Sequence, residues 1–157
     1  MKTQSIHTIK KELHHNSKEE LIQLVLRLGK YKVENKELLS YLLFEAADED
    51  GYIAYIKTNM DLQFEVINRE SYYYIKKSVR KILRLTKRFI KYSKKLETET
   101  SLLIHFCENL KKMEPSYLNN QVLMNMFSRQ ISLIEKNIDK MHEDLRYDFE
   151  KEISTLK

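Results

Sequence analysis

Scarcity of turn-forming residues constrains this chain more than any other feature. It contains two glycines and one proline in 157 residues, so few positions favour a tight turn or the edge of a strand. Leu, Lys, Glu and Ile dominate instead, and all four are compatible with helix. The composition therefore predicts an almost entirely α-helical fold, and the length favours a single helical domain over residues 1–157.

Capping signals in the first third of the chain predict two helices. Ser17 and Glu20 have the spacing of a capping box, and Gly29 is expected to end the helix that they begin. Asn35 is expected to cap a short second helix. That helix runs through residues 38–44, which are so apolar that they should be buried on nearly every side.

Acidic residues and the proline mark the next helix boundaries. The acidic residues at 48–50 predict the start of a third helix, because carboxylates favour the positive end of the helix dipole. Residues 68–71 form the expected corner before a fourth helix. Glu97 and Glu99 follow that helix with threonines beside them, which indicates the capped start of a fifth helix that Pro115 stops.

The last segment predicts a long C-terminal helix. From Met124 to Leu145 the apolar residues alternate spacings of three and four, and two more follow at spacings of four up to Ile153. This seam suggests coiled-coil-like packing, either inside a bundle or against a second copy. The expected architecture is an antiparallel helical bundle or a short stack of helical hairpins, with about six helices. Residues 1–16 are expected to form a loosely ordered N-terminus.

Positive charge is concentrated in one segment. Residues 71–95 contain ten Lys or Arg and no Asp or Glu, whereas the rest of the chain has 18 basic and 23 acidic residues. At about 100° per residue the ten cations fall within an arc of roughly 140°, and apolar residues fill the opposite half. The segment is therefore predicted to be an amphipathic helix with a basic outer face. The residues expected to bind an anion or partner there are Tyr73, Lys77, Arg80, Lys81, Arg84, Lys87, Arg88 and Lys91.

The basic face is open to several interpretations. Its cations could be solvated or paired with acidic residues near the C-terminus, such as Asp144 and Asp148. They could instead engage an acidic surface on a partner protein or a second subunit. A third interpretation is nucleic-acid binding, in which Tyr73 stacks on a base. Binding to a membrane surface would need the apolar half of the helix, and that half is expected to lie in the core.

The residues able to carry chemistry form no recognisable catalytic motif. Cys107 lies on or beside an apolar stripe, as is typical of a small core residue rather than a nucleophile. Glu12 with His15 and Asp139 with His142 have the acidic-x-x-His spacing of di-metal bundles. Such a site also needs carboxylates from two further helices. A metal-dependent helical-bundle enzyme is therefore kept only as the second alternative function, below a binding protein. No catalytic residue, metal site or cofactor is predicted.

Five short strings spread over nearly the whole chain carry a family resemblance. They are Ser17 to Ile22, Glu37 to Phe44, Asp50 to Ala54, Lys81 to Leu85 and His142 to Leu145. On these strings the chain resembles a family of uncharacterised all-helical proteins from bacteria of the Bacteroidetes type. The resemblance implies an all-α intracellular protein and brings no assigned activity.

The remaining sequence features favour the cytoplasm. A single cysteine excludes an intrachain disulfide, and no Asn-x-Ser/Thr acceptor is present. Residues 1–16 lack the apolar region of a secretion signal, and no stretch approaches the ~18 apolar residues of a membrane span. The predicted function is a non-enzymatic protein-interaction module, whose basic face at 71–95 engages an acidic partner, with possible self-association through the C-terminal helix. The principal alternative is a nucleic-acid-binding accessory protein that uses the same face.

Overall fold

The computed structural model describes residues 1–156, which form eight α-helices and no strand. The helices are α1 (Ile6–Leu13), α2 (Lys18–Tyr31), α3 (Val33–Ser40), α4 (Glu49–Glu65), α5 (Tyr72–Ser93), α6 (Leu96–Lys112), α7 (Gln121–Ile138) and α8 (Glu143–Ser154), with a π-helical turn at Tyr41–Glu45 and a 3₁₀ turn at Tyr117–Asn119. The predicted all-α class is confirmed. The number of helices exceeds the predicted six because residues 6–13 form a helix and the last segment divides into two.

The chain divides into two compact units, Met1–Phe44 and the part from Glu45 onward. In the first unit α2 and α3 pack together as a hairpin. The capping box at the start of α2 is confirmed, since the Glu20 amide donates to Ser17 Oγ at 3.2 Å and the Ser17 amide donates to Glu20 Oε2 at 2.7 Å. The hydrogen bond from the Ser17 amide lowers the pKa of Glu20 from its ordinary value.

Two predictions for the hairpin are wrong. Gly29 does not end α2, which continues to Tyr31. A Cβ at Gly29 would lie 2.9 Å from Leu39 Cδ1, so this glycine instead allows α2 and α3 to approach closely. Asn35 lies inside α3, where its Nδ2 donates to Leu28 O at 2.8 Å and ties the two helices together.

The expected burial of residues 38–44 is also wrong. Leu42, Leu43 and Phe44 are 56%, 68% and 75% exposed, and Tyr41 is the one buried side chain among residues 1–44. The physical reason is that a two-helix hairpin offers a single packing partner. Consecutive apolar residues point in different directions around a helical turn, so one neighbouring helix cannot cover all of them.

The second unit is organised around α6. Helices α4, α5, α7 and α8 all contact it, and at 100° per residue its buried apolar side chains span about 200° of the helix circumference. These side chains are Leu102, Leu103, Ile104, Phe106, Cys107 and Leu110. A helix whose apolar surface is this wide needs more than one packing partner, and α6 has four. No helix in the described residues is long and apolar enough to cross a membrane.

Helix α4 begins where the sequence predicts, at the acidic residues 48–50. Its N-cap is Asp48, whose Oδ1 accepts from the Gly51 amide at 3.0 Å. A Cβ at Gly51 would lie 2.3 Å from Asp48 Oδ2, so a side chain there would collide with the capping carboxylate. The buried residues of α4 recur every four positions, as one helix face requires. They are Tyr52, Ile56, Met60 and Phe64.

A buried carboxylate fixes the corner between α5 and α6. Glu49 Oε1 accepts hydrogen bonds from Ser93 Oγ and, at 2.6 Å, from Thr98 Oγ1. Its other oxygen lies 3.0 Å from Lys95 Nζ, and only 15% of the Glu49 side chain is exposed. Charge-assisted hydrogen bonds of this kind are stronger than neutral ones. The first turn of α4 is thereby tied to the end of α5 and the start of α6.

The predicted long C-terminal helix is wrong, because the chain turns at residues 139–142. Helix α7 ends at Ile138, and α8 folds back to contact both α6 and α7. A straight continuation could not pack against α7 itself, so the reversal allows Ile153 and Leu156 to be buried. Lys111 Nζ secures the end of α8 by donating to the carbonyl oxygens of Thr155 and Leu156 at 3.1 and 3.0 Å.

The end of α5 gives a stability prediction. Lys94 caps this helix in the left-handed conformation, with φ of 56°, which favours glycine. Replacing Lys94 with Gly should raise the free energy of unfolding by about 0.5–1 kcal/mol, because the strain of a side chain in this region is relieved. Denaturant unfolding measures the change. Lys91→Gly, inside the helix, should lower the stability by a similar amount, and a loss of stability for both variants would contradict the prediction.

Candidate binding face and clefts

Helix α5 presents the predicted basic face without interruption. It runs for 22 residues, about 33 Å at the usual rise, and buries Ile75, Val79 and Ile82 on its opposite side. Two tyrosine hydroxyls hold the helix in place, since Tyr52 donates to Phe89 O at 3.0 Å and Tyr72 donates to Ser116 O at 2.8 Å. The cationic side is therefore held toward solvent.

The residues predicted to bind lie on this face with different exposure. Lys87 and Arg88 are half-buried at its flanks, and the guanidinium of Arg88 lies 5.8 Å from the centre of the Phe89 ring. The other six predicted residues are exposed, namely Tyr73, Lys77, Arg80, Lys81, Arg84 and Lys91. Tyr73 lies in the first turn of α5, before the first of the cations. Its ring packs edge-on against that of Tyr74, with ring centres 5.3 Å apart.

Most of the ten cations in residues 71–95 lack a carboxylate partner among residues 1–156. No Asp or Glu oxygen lies within 4.0 Å of eight of them. The eight are Lys76, Lys77, Arg80, Lys81, Arg84, Lys87, Lys91 and Lys94. Lys95 is neutralised by Glu49, whereas Asp139, near the C-terminus, lies 3.4 Å from Arg146 rather than against α5.

A cleft of about 520 Å³ lies between α5 and α7, both of which pack on α6. Arg80 and Lys87 line it from α5, and Arg129 lines it from α7. Half-buried apolar side chains complete the lining, and the described residues around it include no carboxylate. These apolar residues are Leu83, Val122, Met126 and Leu133. The sequence showed Arg129 as an isolated cation, so nothing in the pattern indicated that it joins the basic face.

Gln130 is the most buried residue of this cleft, with 3% of its surface exposed. Its Nε2 donates to Met126 O at 3.1 Å. Its Oε1 is buried and accepts no hydrogen bond from any residue in 1–156. A buried amide oxygen without a donor is unfavourable, and most such groups in proteins are satisfied. The cleft is therefore lined by three cations and by a glutamine whose buried amide oxygen has no donor in residues 1–156.

A second cleft, of about 380 Å³, lies beside α4 and α6 and contains a histidine that sequence reasoning missed. His105 Nε2 lies 2.6 Å from Asp61 Oδ1, and Nδ1 lies 3.4 Å from Glu108 Oε2. Asn109 also donates to Asp61 Oδ1, at 2.8 Å. Each ring nitrogen therefore faces a carboxylate, and the pair formed with Asp61 links α6 to α4.

The candidate metal residues are far from forming a cage. Among residues 1–156 no group of three or more His, Cys, Asp or Glu side chains is placed to hold a metal ion. Asp139 and His142 lie at the corner between α7 and α8, where Asp139 faces Arg146. Glu12 and His15 lie at the end of α1, in the first unit. The two acidic-x-x-His pairs thus belong to different compact units.

Three features of the second unit bear on function: the basic face of α5, the cleft between α5 and α7, and the cleft beside α4 and α6. No protein-family model matches this chain, and no curated protein or solved structure matches it either.

Cys107 gives a prediction about reactivity. Its side chain is fully buried, and this burial, with a smaller effect from the charge of Glu108, raises the thiol pKa from 9.0 to about 12. Alkylation of the folded protein by iodoacetamide at pH 8 should therefore be very slow, and mass spectrometry should show complete labelling once denaturant is added. The protonated thiol stabilises the fold fully below pH 9, and that contribution declines as the pH rises toward 12. Rapid labelling of the native protein would contradict the burial.

Proposed function

We propose that this protein is a non-enzymatic helical binding module that uses the basic face of α5 to engage an acidic surface on a partner protein in the cytoplasm. The observation that supports the proposal is an unbroken helix on which most cations have no carboxylate partner among residues 1–156. These cations are Lys76, Lys77, Arg80, Lys81, Arg84, Lys87 and Lys91. The helical bundle around α6 acts as the scaffold that holds this face toward the partner.

Energetics favours an external partner for this face. Arg80, Arg84 and Arg88 follow one another at spacings of four, and Lys81 and Lys87 lie three residues on either side of Arg84. Like charges at these spacings destabilise a helix by about 0.2–0.5 kcal/mol per pair. An acidic partner relieves this repulsion on binding, so the arrangement is unfavourable for the isolated chain and favourable for the complex.

One observation favours nucleic acid as a second candidate partner. Tyr73 is 66% exposed beside the cations, so its ring is accessible to a base. Neutralising about five phosphates of duplex DNA would give a slope near −4 to −5 for log affinity against log salt.

A second copy of the chain is the remaining candidate. Self-association through the C-terminal helix would use α8, where Leu145 and Tyr147 are exposed, and light scattering tests it directly.

The repulsion on α5 predicts opposite effects of one substitution on stability and binding. Arg84→Glu places a carboxylate between four cations, so it should raise the free energy of unfolding by about 0.5–1 kcal/mol. The same change should weaken binding to an acidic partner several-fold. Lys136→Glu, on the exposed side of α7, is the control for binding and should change the affinity little. It should lower the stability instead, because it places a carboxylate in the last turn of α7, at the negative end of the helix dipole. If the Arg84→Glu variant is less stable than the wild type, the argument from repulsion is wrong.

Binding to simple anionic probes tests the proposed partner. Fluorescence anisotropy with a polyglutamate peptide should show binding at low salt that is lost when Lys77, Arg84 and Lys91 are all changed to Glu. The control variant changes Lys136, Lys140 and Lys151 to Glu, which alters the net charge equally on other helices. Equal affinity for the two triple variants would remove the basic face from the proposal. Tighter binding to duplex DNA that depends on Tyr73 would favour the nucleic-acid alternative.

A further inference from the structure

The cleft between α5 and α7 has the dimensions of a groove for a short helix. Its lining residues extend from Arg80 to Lys87 on α5 and from Val122 to Leu133 on α7. At about 1.5 Å per residue these stretches are roughly 10 and 16 Å long. A segment of two to three helical turns has this length. The length of the groove therefore matches one face of a short amphipathic helix, whose side chains would enter the cleft.

The lining specifies two properties of the occupant. Arg80, Lys87 and Arg129 require negative charge at its edges, because the described lining carries no carboxylate. Leu83, Met126 and the other apolar residues require an apolar side chain between those charges.

We propose that this groove binds an acidic amphipathic segment of the partner protein, with an apolar anchor between Leu83 and Met126 and carboxylates on Arg80, Lys87 and Arg129. The inference rests on the proposed function and deepens it, since it defines which acidic partners bind. The basic face attracts acidic proteins in general, whereas the groove selects those that place an apolar side chain between carboxylates.

The character of the lining favours a peptide over a nucleotide. No aromatic side chain occurs among the described residues that line the groove, and binding of bases without sequence preference usually relies on aromatic stacking. Aliphatic side chains and the thioether of Met126 instead match aliphatic or aromatic anchors of a helix, to which methionine adapts well.

Three peptides of equal length test this groove with the full-length protein. The first peptide has two leucines four residues apart among glutamates, so both lie on one face of a helix. The second has the same composition, but its two leucines lie on different faces of the helix. The third contains only glutamates. By fluorescence anisotropy the first peptide should bind about tenfold more tightly than the second, because only it presents a continuous anchor. The difference should persist when salt is raised, since it arises from apolar contact.

Variants assign the difference to the groove. Asn125→Trp, at an exposed lining position, should block the groove without removing a packed side chain, and Met126→Ala should remove part of the anchor site. Both variants should bind the first peptide only as tightly as the second, and their affinity for polyglutamate should be unchanged. Leu85→Ala, at a half-buried leucine of α5 that does not line the groove, is the matched control and should not affect any peptide.

Two outcomes would overturn the inference as a whole. If the first and second peptides bind equally, the groove does not select an anchor, although polyglutamate binding would still support the basic face. If DNA or RNA binding is lost in Asn125→Trp and peptide binding is not, the groove belongs to a nucleic acid. Failure of all three peptides to bind would remove the proposed function as well, so the two failures are distinguishable.

Discussion

Burial of α6 is the interaction on which the rest of the second unit depends. Apolar side chains emerge from this helix in several directions, and Leu102, Leu103, Phe106 and Leu110 are completely inaccessible to solvent. One neighbouring helix could cover only one stripe of such a surface. Four helices therefore pack around α6, and the orientation of each is set by the apolar stripe that it contributes. The corner held by Glu49 and the reversal after Ile138 both serve this arrangement.

The basic face follows from the same packing. Helix α5 uses Ile75, Val79 and Ile82 against the core, so its cations are left on the outside. The acidic residues of the chain lie on other elements, and their carboxylates do not reach most of these cations. Charge separation of this kind costs stability in the free protein and favours association with an anion. The side of α5 that packs on the core and the side proposed to bind a partner are thus opposite faces of one helix.

Local signals were sufficient where a feature depends on neighbours in sequence. The capping box at Ser17, the N-cap at Asp48 and the amphipathic stripe of α5 all involve residues within one or two helical turns. Prediction was wrong where the meaning of a residue depends on what packs against it. Gly29 can end a helix or let another helix approach, and the spacing from Met124 to Ile153 fits one long helix as well as two packed ones. Only the position of neighbouring helices distinguishes these cases.

By itself the sequence determined that this chain is helical and that one of its helices is basic on a single side, because helix propensity, capping and periodicity act over a few residues. Tertiary structure alone decided that Arg129 joins Arg80 and Lys87 around a groove, that Gln130 is buried there without a donor, and that Asp61 meets His105. These groups come from helices distant in sequence. Their proximity depends on how each helix rotates to bury its apolar stripe against α6, a constraint that involves the whole unit at once.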